Sequence, residues 1–533
     1  MPLTCALRAG FREIPSSNGA AVSIRQYASR GGFVSLCLFF LAGAVSPVLA
    51  GTKERPNIVL IISDDHRWDC IGAAGNPHVK TPNLDQLARD GVYFEQATIH
   101  TPQCSPCRAS LLTGLPPHQN GWYSNQTQQR RVHAPNGFSH LPTVPGLLQK
   151  NGYRTVLVGK WHLKPEPWNV GFSDVRTWLP GGGGPYKDVR LAHGKSRQVT
   201  TTTGYLQDVL GQDAAEFISS PDAKEKPFFL WMALTAPHTP LRPNPEHLQA
   251  LYAGKKNAQL APKGFTRGSP EEQFTSFTVY AARKAAKATK EGKGAKAAKK
   301  AEPGKHGKAG KKKPETDWHD YYAAVSSADE QVGRVRDALK KAQLDQNTIV
   351  VFLGDNGMMR GSRGWDGKVL PYEESVRVPM LVYSPGFGSY HGKSTAAVSS
   401  LDLPPTFLYW ANVGVPTEWP GRDLLNAMNA PTGPGFEHSF SEFADNVSPK
   451  FGPLEYRLVR MPDAKLIRWS DPAKGEEFFD LKNDPRELNN QIANAAYAEK
   501  IKGLRERLDE WQKRTADKNT TSPSDLVSGE GED

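Results

Sequence analysis

Four short runs along the chain are apolar without interruption, and between them apolar positions recur every three or four residues. Residues 57–62, 155–158, 228–233 and 348–353 are rich in branched and aromatic side chains; unbroken runs of this length predict strands buried on both faces of a parallel sheet. The first run ends in Ser63-Asp64-Asp65. Residues 83–91 predict a helix, with Leu84, Leu87 and Ala88 on one face and Gly91 as its stop. Strands alternating with helices predict an α/β domain, a large and mostly parallel central sheet flanked by helices. From about residue 430 the texture changes to shorter alternating runs at 456–459 and 465–469. A helix at 496–513 follows, its apolar face carrying Ile501, Leu504, Leu508 and Trp511. Residues 51–434 therefore read as the larger domain, and 435–515 as a small C-terminal antiparallel sheet with a packed helix.

Composition adds three segments outside that frame. Residues 1–50 carry Arg25 and Arg30, an apolar run at 33–45 and then Val48-Leu49-Ala50, the pattern of a signal peptide with a small-residue cleavage site. A secreted or periplasmic protein is expected; the run is too short for a stable membrane span, and an uncleaved anchor is the alternative. Residues 283–313 hold thirteen Lys/Arg against two Glu, a surplus equal to the net charge of the whole chain, +11. This Lys-rich insertion, about 282–314, cannot bury a core and is expected to be disordered. It reads either as a solvated loop or as a capture surface for a polyanion. No aromatic residue interrupts it, which argues against stacking on bases, and no specific nucleic acid is expected. Residues 516–533 read as a disordered acidic tail. With 38% hydrophobic residues in 533, the remainder can bury a large core. Beyond residue 50 only Cys70, Cys104 and Cys107 remain, too few for a disulfide framework.

Candidate chemistry gathers after the strand runs, where open α/β sheets bind their ligands: Asp64-Asp65, Lys160-Trp161-His162, Pro237-His238 and Asp355-Asn356. Asp64, Asp65, Asp355 and Asn356 are hard oxygen donors of the kind that suit Ca²⁺ or Mg²⁺. Either pair alone suits a turn or cap equally well. Lys160 and His162 are one residue apart, which in an extended segment points both to the same side. Cys104 and Cys107 have a spacing that alone permits a disulfide or half a metal site. Pro106 fits a helix starting just after it, which would carry Arg108 toward Cys104 and favour an anion at its amino end. Gly181-Gly182-Gly183-Gly184 reads either as a rim loop near the site or as a plain flexible connection.

The stretch Cys104-Ser105-Pro106-Cys107-Arg108-Ala109-Ser110-Leu111-Leu112-Thr113-Gly114 resembles the signature of the sulfatase family. Further motifs follow in the family's order, including Tyr372-Glu373-Glu374-Ser375 and Phe479-Asp480-Leu481 with Asn483-Asp484-Pro485. The resemblance implies an alkaline-phosphatase-like sandwich and hydrolysis of sulfate monoesters. It implies that Cys104 is converted, by a formylglycine-generating enzyme, to 3-oxoalanine (formylglycine), whose hydrated aldehyde attacks sulfur and is restored when sulfate leaves. It implies a divalent ion, Ca²⁺ with Mg²⁺ as the other candidate, at Asp64, Asp65, Asp355, Asn356 and the modified Cys104. By the same resemblance Arg108 holds the hydrated aldehyde and Lys160 bridges it to the sulfate. His162 handles the diol proton, His238 binds sulfate and protonates the leaving oxygen, and Lys368 binds sulfate and stabilises the leaving group. Gly114-Leu115-Pro116-Pro117-His118-Gln119-Asn120-Gly121 is similar to the heparan N-sulfatase branch, whereas Lys160-Trp161-His162 is similar to arylsulfatases and glycan sulfatases. The expected substrate is thus a sulfated carbohydrate ester, with N-sulfoglucosamine hydrolysis as the alternative. A phosphomonoester or phosphonate hydrolase and an inactive polyanion-binding protein stand further off. Cysteine at 107, where many members have serine, leaves a Cys104–Cys107 disulfide open.

Overall fold

The computed structural model describes residues 55–125, 138–265, 317–385, 391–429, 435–445, 454–472 and 474–517. The signal-peptide segment, the Lys-rich insertion and all but the first two residues of the acidic tail lie outside them.

Each of the four apolar runs forms a strand, and these pack side by side. They are β1 (Asn57–Ser63), β3 (Arg154–Lys160), β7 (Phe228–Ala233) and β8 (Thr348–Gly354). The others in the large sheet are β2 (Val92–Phe94), β4 (Asp174–Leu179), β5 (Lys187–His193), β6 (Val199–Tyr205), β9 (Met380–Tyr383) and β10 (Gly392–Ser394). The order is β10-β2-β9-β8-β1-β7-β3-β4-β5-β6. The centre, β8-β1-β7-β3-β4, is parallel throughout. Antiparallel pairing enters only through β9 on one side and β5 and β6 on the other. Strands buried on both faces need helices over both, and two apolar cores result. One, on the face of Ile58, Leu60 and Ile62, takes in the helix Cys104–Thr113 and the helix Leu403–Trp410. The other, on the face of Val59 and Ile61, takes in the helices Pro82–Asp90, Leu206–Ser219 and Trp318–Lys341.

The small sheet is a meander, β11 (Ser439–Asp445), β12 (Leu454–Met461), β13 (Ala464–Trp469) and β14 (Glu476–Asp480), antiparallel throughout. The helix Ala498–Arg514 lays Ile501, Leu504, Leu508 and Trp511 against Val459, Leu466 and Phe478, the face its periodicity predicts. The other face of the small sheet packs Tyr456, Leu458 and Ile467 against Met359, Tyr372 and Val376 of the large domain.

Two local expectations are corrected. The helix with the cysteine motif starts at Cys104, two residues before Pro106. Proline lacks a donor that no residue of the first turn could use, so it is tolerated inside that turn as well as at its start. His162 is not in an extended segment: it follows the end of β3 with φ of 60°, left-handed backbone.

Candidate active site

The site forms where β1, β7 and β8 end. Asp64 N–H donates to Ala236 C=O (3.1 Å) and Asp355 N–H to Ser63 C=O (2.9 Å), so the segments leaving the three strands stay in register. This brings Asp64 and Asp65 beside Asp355 and Asn356, nearly three hundred residues away in sequence. The Asp65 N–H donates to Asp355 Oδ1 at 3.3 Å, and Asn356 Nδ2 donates to Asp65 Oδ1 at 2.6 Å. Asp65 holds a left-handed φ of 64°, a conformation that costs a non-glycine residue energy and persists where surroundings impose it. Part of that imposition is Tyr321, on the helix Trp318–Lys341, whose hydroxyl donates to Asp65 C=O (2.6 Å) and accepts from Arg67 N–H (3.0 Å).

The helix Cys104–Thr113 points its amino end at this cluster, and all ten of its residues are buried. Cys104 Sγ lies 3.2 Å from Asp64 Oδ1 and 2.7 Å from Lys368 Nζ. One turn on, Arg108 spans two strand ends: Nη2 donates to Asp355 Oδ2 and Nη1 to Lys160 C=O, both at 2.8 Å. Lys160 pairs with Asp64 Oδ2, and Lys368 pairs with Asp65 Oδ1 at 2.5 Å. Lys160 is aimed by a bulge in β3: the register against β4 shifts between Leu157 and Gly159. At Gly159, φ is 98° and a Cβ would come 2.0 Å from Ala233 C=O, so only glycine lets β3 pass β7 there. His238 Nε2 lies 3.8 Å from Asp65 Oδ2, and His238 is the most exposed member of the group, its side chain 23% accessible against 14% for Lys368.

Three buried carboxylates thus face three cations, and the field decides each proton. Burial would raise the Asp64 carboxyl, but Lys160, then His238, Lys368 and Arg108, hold it well below the usual range. Asp355 is pushed up to about 6, by burial first and then by Asp64, against Arg108 and both lysines. Burial, followed by Lys160 and Arg108, drives His162 down to about 2. Burial also lowers His238, although Asp65 and Asp64 oppose it. Cys104 is pushed up to about 12 by burial and by Asp64. As a cysteine it is therefore a neutral thiol at pH 7, a poor nucleophile.

The acidic cluster fits a divalent ion on its own chemistry. Asp64, Asp65, Cys104 and Asp355 each place one ligand atom within 4.8 Å of the others'. Among the described residues Asn356 Oδ1 is buried with no hydrogen-bond partner; an amide oxygen so placed is a ligand type that Ca²⁺ takes.

A family model described as "Sulfatase" matches residues 56–413, and a second, "N-sulphoglucosamine sulphohydrolase, C-terminal", matches residues 361–514. The chain belongs to the sulfatase family. It is 30% identical to an N-acetylglucosamine-6-O-sulfatase of Bacteroides thetaiotaomicron, over 90% of each chain. To the N-sulphoglucosamine sulphohydrolase of Homo sapiens it is 26% identical, over 90% of this chain and 94% of the relative. A solved structure in complex with its substrate, D-glucosamine-2-N,6-O-disulfate, superposes with a TM-score of 0.71 at 26% identity, covering 88% of this sulfatase and all of that chain. The fold is accordingly alkaline-phosphatase-like, and the sulfatase hydrolyses sulfate esters.

Cys104, Arg108, Lys160, His238, Lys368, Asp64, Asp65, Asp355 and Asn356 stand within one cluster, and His162 lies in the field of Lys160, Arg108, Asp64 and Lys368. Cys104 and Cys107 are free thiols, so the disulfide left open by their spacing does not form. Sequence reasoning missed Tyr321 and Tyr186, whose hydroxyl donates to His238 C=O at 2.6 Å. Neither sits in a motif; each acts on backbone distant in sequence, and nothing local could have revealed it.

Proposed function

We propose that this sulfatase acts on a sulfated amino sugar of a glycan, cleaving an O-sulfate ester with the side chains gathered around Cys104. The observation that carries the reading is the place of that cysteine: at the head of a buried helix, in contact with Asp64 and Lys368 and held as a neutral thiol. A thiol so placed is a poor nucleophile but a well-seated precursor. Sulfatases generally use a formylglycine, whose hydrated aldehyde supplies the attacking oxygen, and a divalent metal, here read as Ca²⁺ with Mg²⁺ as the other candidate, which draws charge from the sulfuryl oxygens.

The chain's own residues supply the rest. Asp64, Asp65, Asp355 and Asn356 would hold the ion. Arg108, fixed by two acceptors, holds the diol oxygen of residue 104. Lys160 and Lys368 carry the cationic charge that stabilises the three sulfuryl oxygens as the ester bond breaks. His162 takes the diol proton by the family resemblance; the cations that drive its ring down to about 2 in the free site oppose that role until an arriving anionic ester offsets them. His238, partly exposed, binds the sulfate and gives a proton to the leaving oxygen; an anionic ester arriving beside it favours the charged ring.

Several observations support an amino sugar as substrate: the 6-O-sulfatase relative, the disulfated glucosamine in the superposed structure, and the C-terminal model named for N-sulphoglucosamine sulphohydrolase. The last also favours a second reading, N-sulfate cleavage. The protein is read as exported, on the strength of residues 1–50; no helix among the described residues is long and apolar enough to cross a membrane.

The test is production with a formylglycine-generating enzyme, followed by mass measurement of the peptide containing residue 104 and turnover assays. Conversion of the thiol to the aldehyde, with aryl sulfate cleaved far faster than the matching aryl phosphate, is expected; the reverse ranking refutes the reading. N-acetylglucosamine 6-sulfate should then outpace N-sulfoglucosamine, and the opposite order selects the N-sulfate reading.

A further inference from the structure

The four glycines Gly181 to Gly184 leave the end of β4 and lead into β5. None of them has the positive φ that would call for glycine, so any need for glycine here comes from space. An ideal Cβ built on Gly182 lies 2.4 Å from His162 Nε2 and 2.5 Å from its Cε1. On Gly183 it lies 3.3 Å from both Nδ1 and Cε1 of His238. At Gly181 it meets nothing within 4 Å, and at Gly184 only Val189 Cγ1 at an ordinary 3.6 Å. The two middle glycines therefore lie against the two imidazoles, one each, while the outer two do not.

The segment is held at both ends to the same histidine loops. The Trp161 N–H, next to His162, donates to Leu179 C=O at 2.9 Å, at the end of β4. Tyr186, 1% exposed, closes the other end through its hydroxyl on His238 C=O at 2.6 Å. Between these ties the chain crosses both rings.

We propose that Gly182 and Gly183 are positioning residues, whose absent side chains set where the rings of His162 and His238 stand. A methyl at 182 would overlap the His162 ring by more than an ångström relative to normal contact, and the tied ends limit how far the loop can retreat. At 183 the overlap is a few tenths of an ångström. A ring misplaced by about 1 Å costs on the order of a hundredfold in rate. The inference rests on the proposed roles of the two histidines only for the size of the kinetic effect; the ring positions can be read without turnover.

The experiment compares Gly181→Ala, Gly182→Ala and Gly183→Ala with the unsubstituted protein, in two forms. Protein left with unmodified Cys104 and labelled with ¹³C at histidine Cε1 gives ring resonances, assigned for His162 and His238 by His162→Gln and His238→Gln. Gly182→Ala should shift the His162 resonance and Gly183→Ala the His238 resonance, with Gly181→Ala matching the parent. Matured protein should then show kcat lowered about tenfold to a hundredfold in Gly182→Ala with KM within about twofold, a smaller kcat loss with a raised KM in Gly183→Ala, whose histidine binds the sulfate, and unchanged melting temperature in both. Gly182→Ala indistinguishable from Gly181→Ala in both resonance and kcat overturns the proposal, as does a loss that merely follows a lowered melting temperature. Failure of the sulfatase reading itself would look different, as an inactive matured parent whose glycine variants still moved the resonances.

Discussion

Asn356 carries one of the buried polar atoms that have no hydrogen-bond partner among the described residues. Its amide nitrogen is used twice, on Asp65 Oδ1 and Gly357 C=O, while its buried oxygen has no partner among the described residues. Asn356→Ala should weaken the protein's calcium affinity about tenfold or more, the scale seen when even outlying partners of a metal site are lost. Calcium titration by calorimetry checks this, and the melting temperature in chelator should stay near that of the parent; equal affinity would remove Asn356 from the ion site. At this scale residue types were legible and conformations were not. Asp64, Asp65, Asp355 and Asn356 announce oxygen chemistry by composition. The left-handed φ at Asp65 and at His162 is not written in the neighbouring residues; at Asp65 part of what holds it is Tyr321, more than two hundred and fifty residues away.

Among the elements, the small sheet is joined to the large domain by buried charge. Lys465 on β13 pairs with Glu373 Oε1 (3.0 Å) and Glu487 Oε1 (2.5 Å), and Arg460 on β12 holds both oxygens of Glu373 at 2.9 and 2.8 Å. All four side chains are at most 2% exposed. Lys465→Met keeps the stem and deletes the charge, leaving two buried carboxylates with one fewer cation. We expect a loss of about 3–5 kcal/mol in urea unfolding; a loss under about 1 kcal/mol would mean that the pair relaxes or protonates without cost. The strands and the two amphipathic helices were legible, because unbroken apolar runs and a three-to-four repeat are direct signatures of burial. The short strands β2 and β10, three residues each, and the exposed β6 carry no such signature and exist because neighbours offer them a hydrogen-bonding edge.

For the whole molecule, the segment that follows the cysteine motif is tied to β11 and to the end of the C-terminal helix. His118 Nδ1 is 2.7 Å from Glu442 Oε2 on β11, and Gln119 Nε2 donates to Thr515 C=O at 2.8 Å, just past the helix Ala498–Arg514. Burial alone would lower the His118 pKa, but Glu442 outweighs it and raises it above 6.5. The folded state therefore binds this proton more tightly than the unfolded chain. Its stabilisation is complete below pH 6.5 and is lost as pH rises through the raised folded value. The melting temperature should fall across that window, and His118→Gln should flatten the fall; an unaltered slope would show that the proton belongs elsewhere.

Taken alone, the sequence determined the layered α/β class, the cysteine motif and the set of donors, because apolar periodicity and short motifs are local properties. Only the tertiary structure decided that Cys104 is a neutral buried thiol, that Arg108 spans Asp355 and Lys160, and that Gly182 and Gly183 face the two histidines. Those facts depend on burial and on approaches between segments far apart in the chain, and both arise only when the parallel strands align their ends.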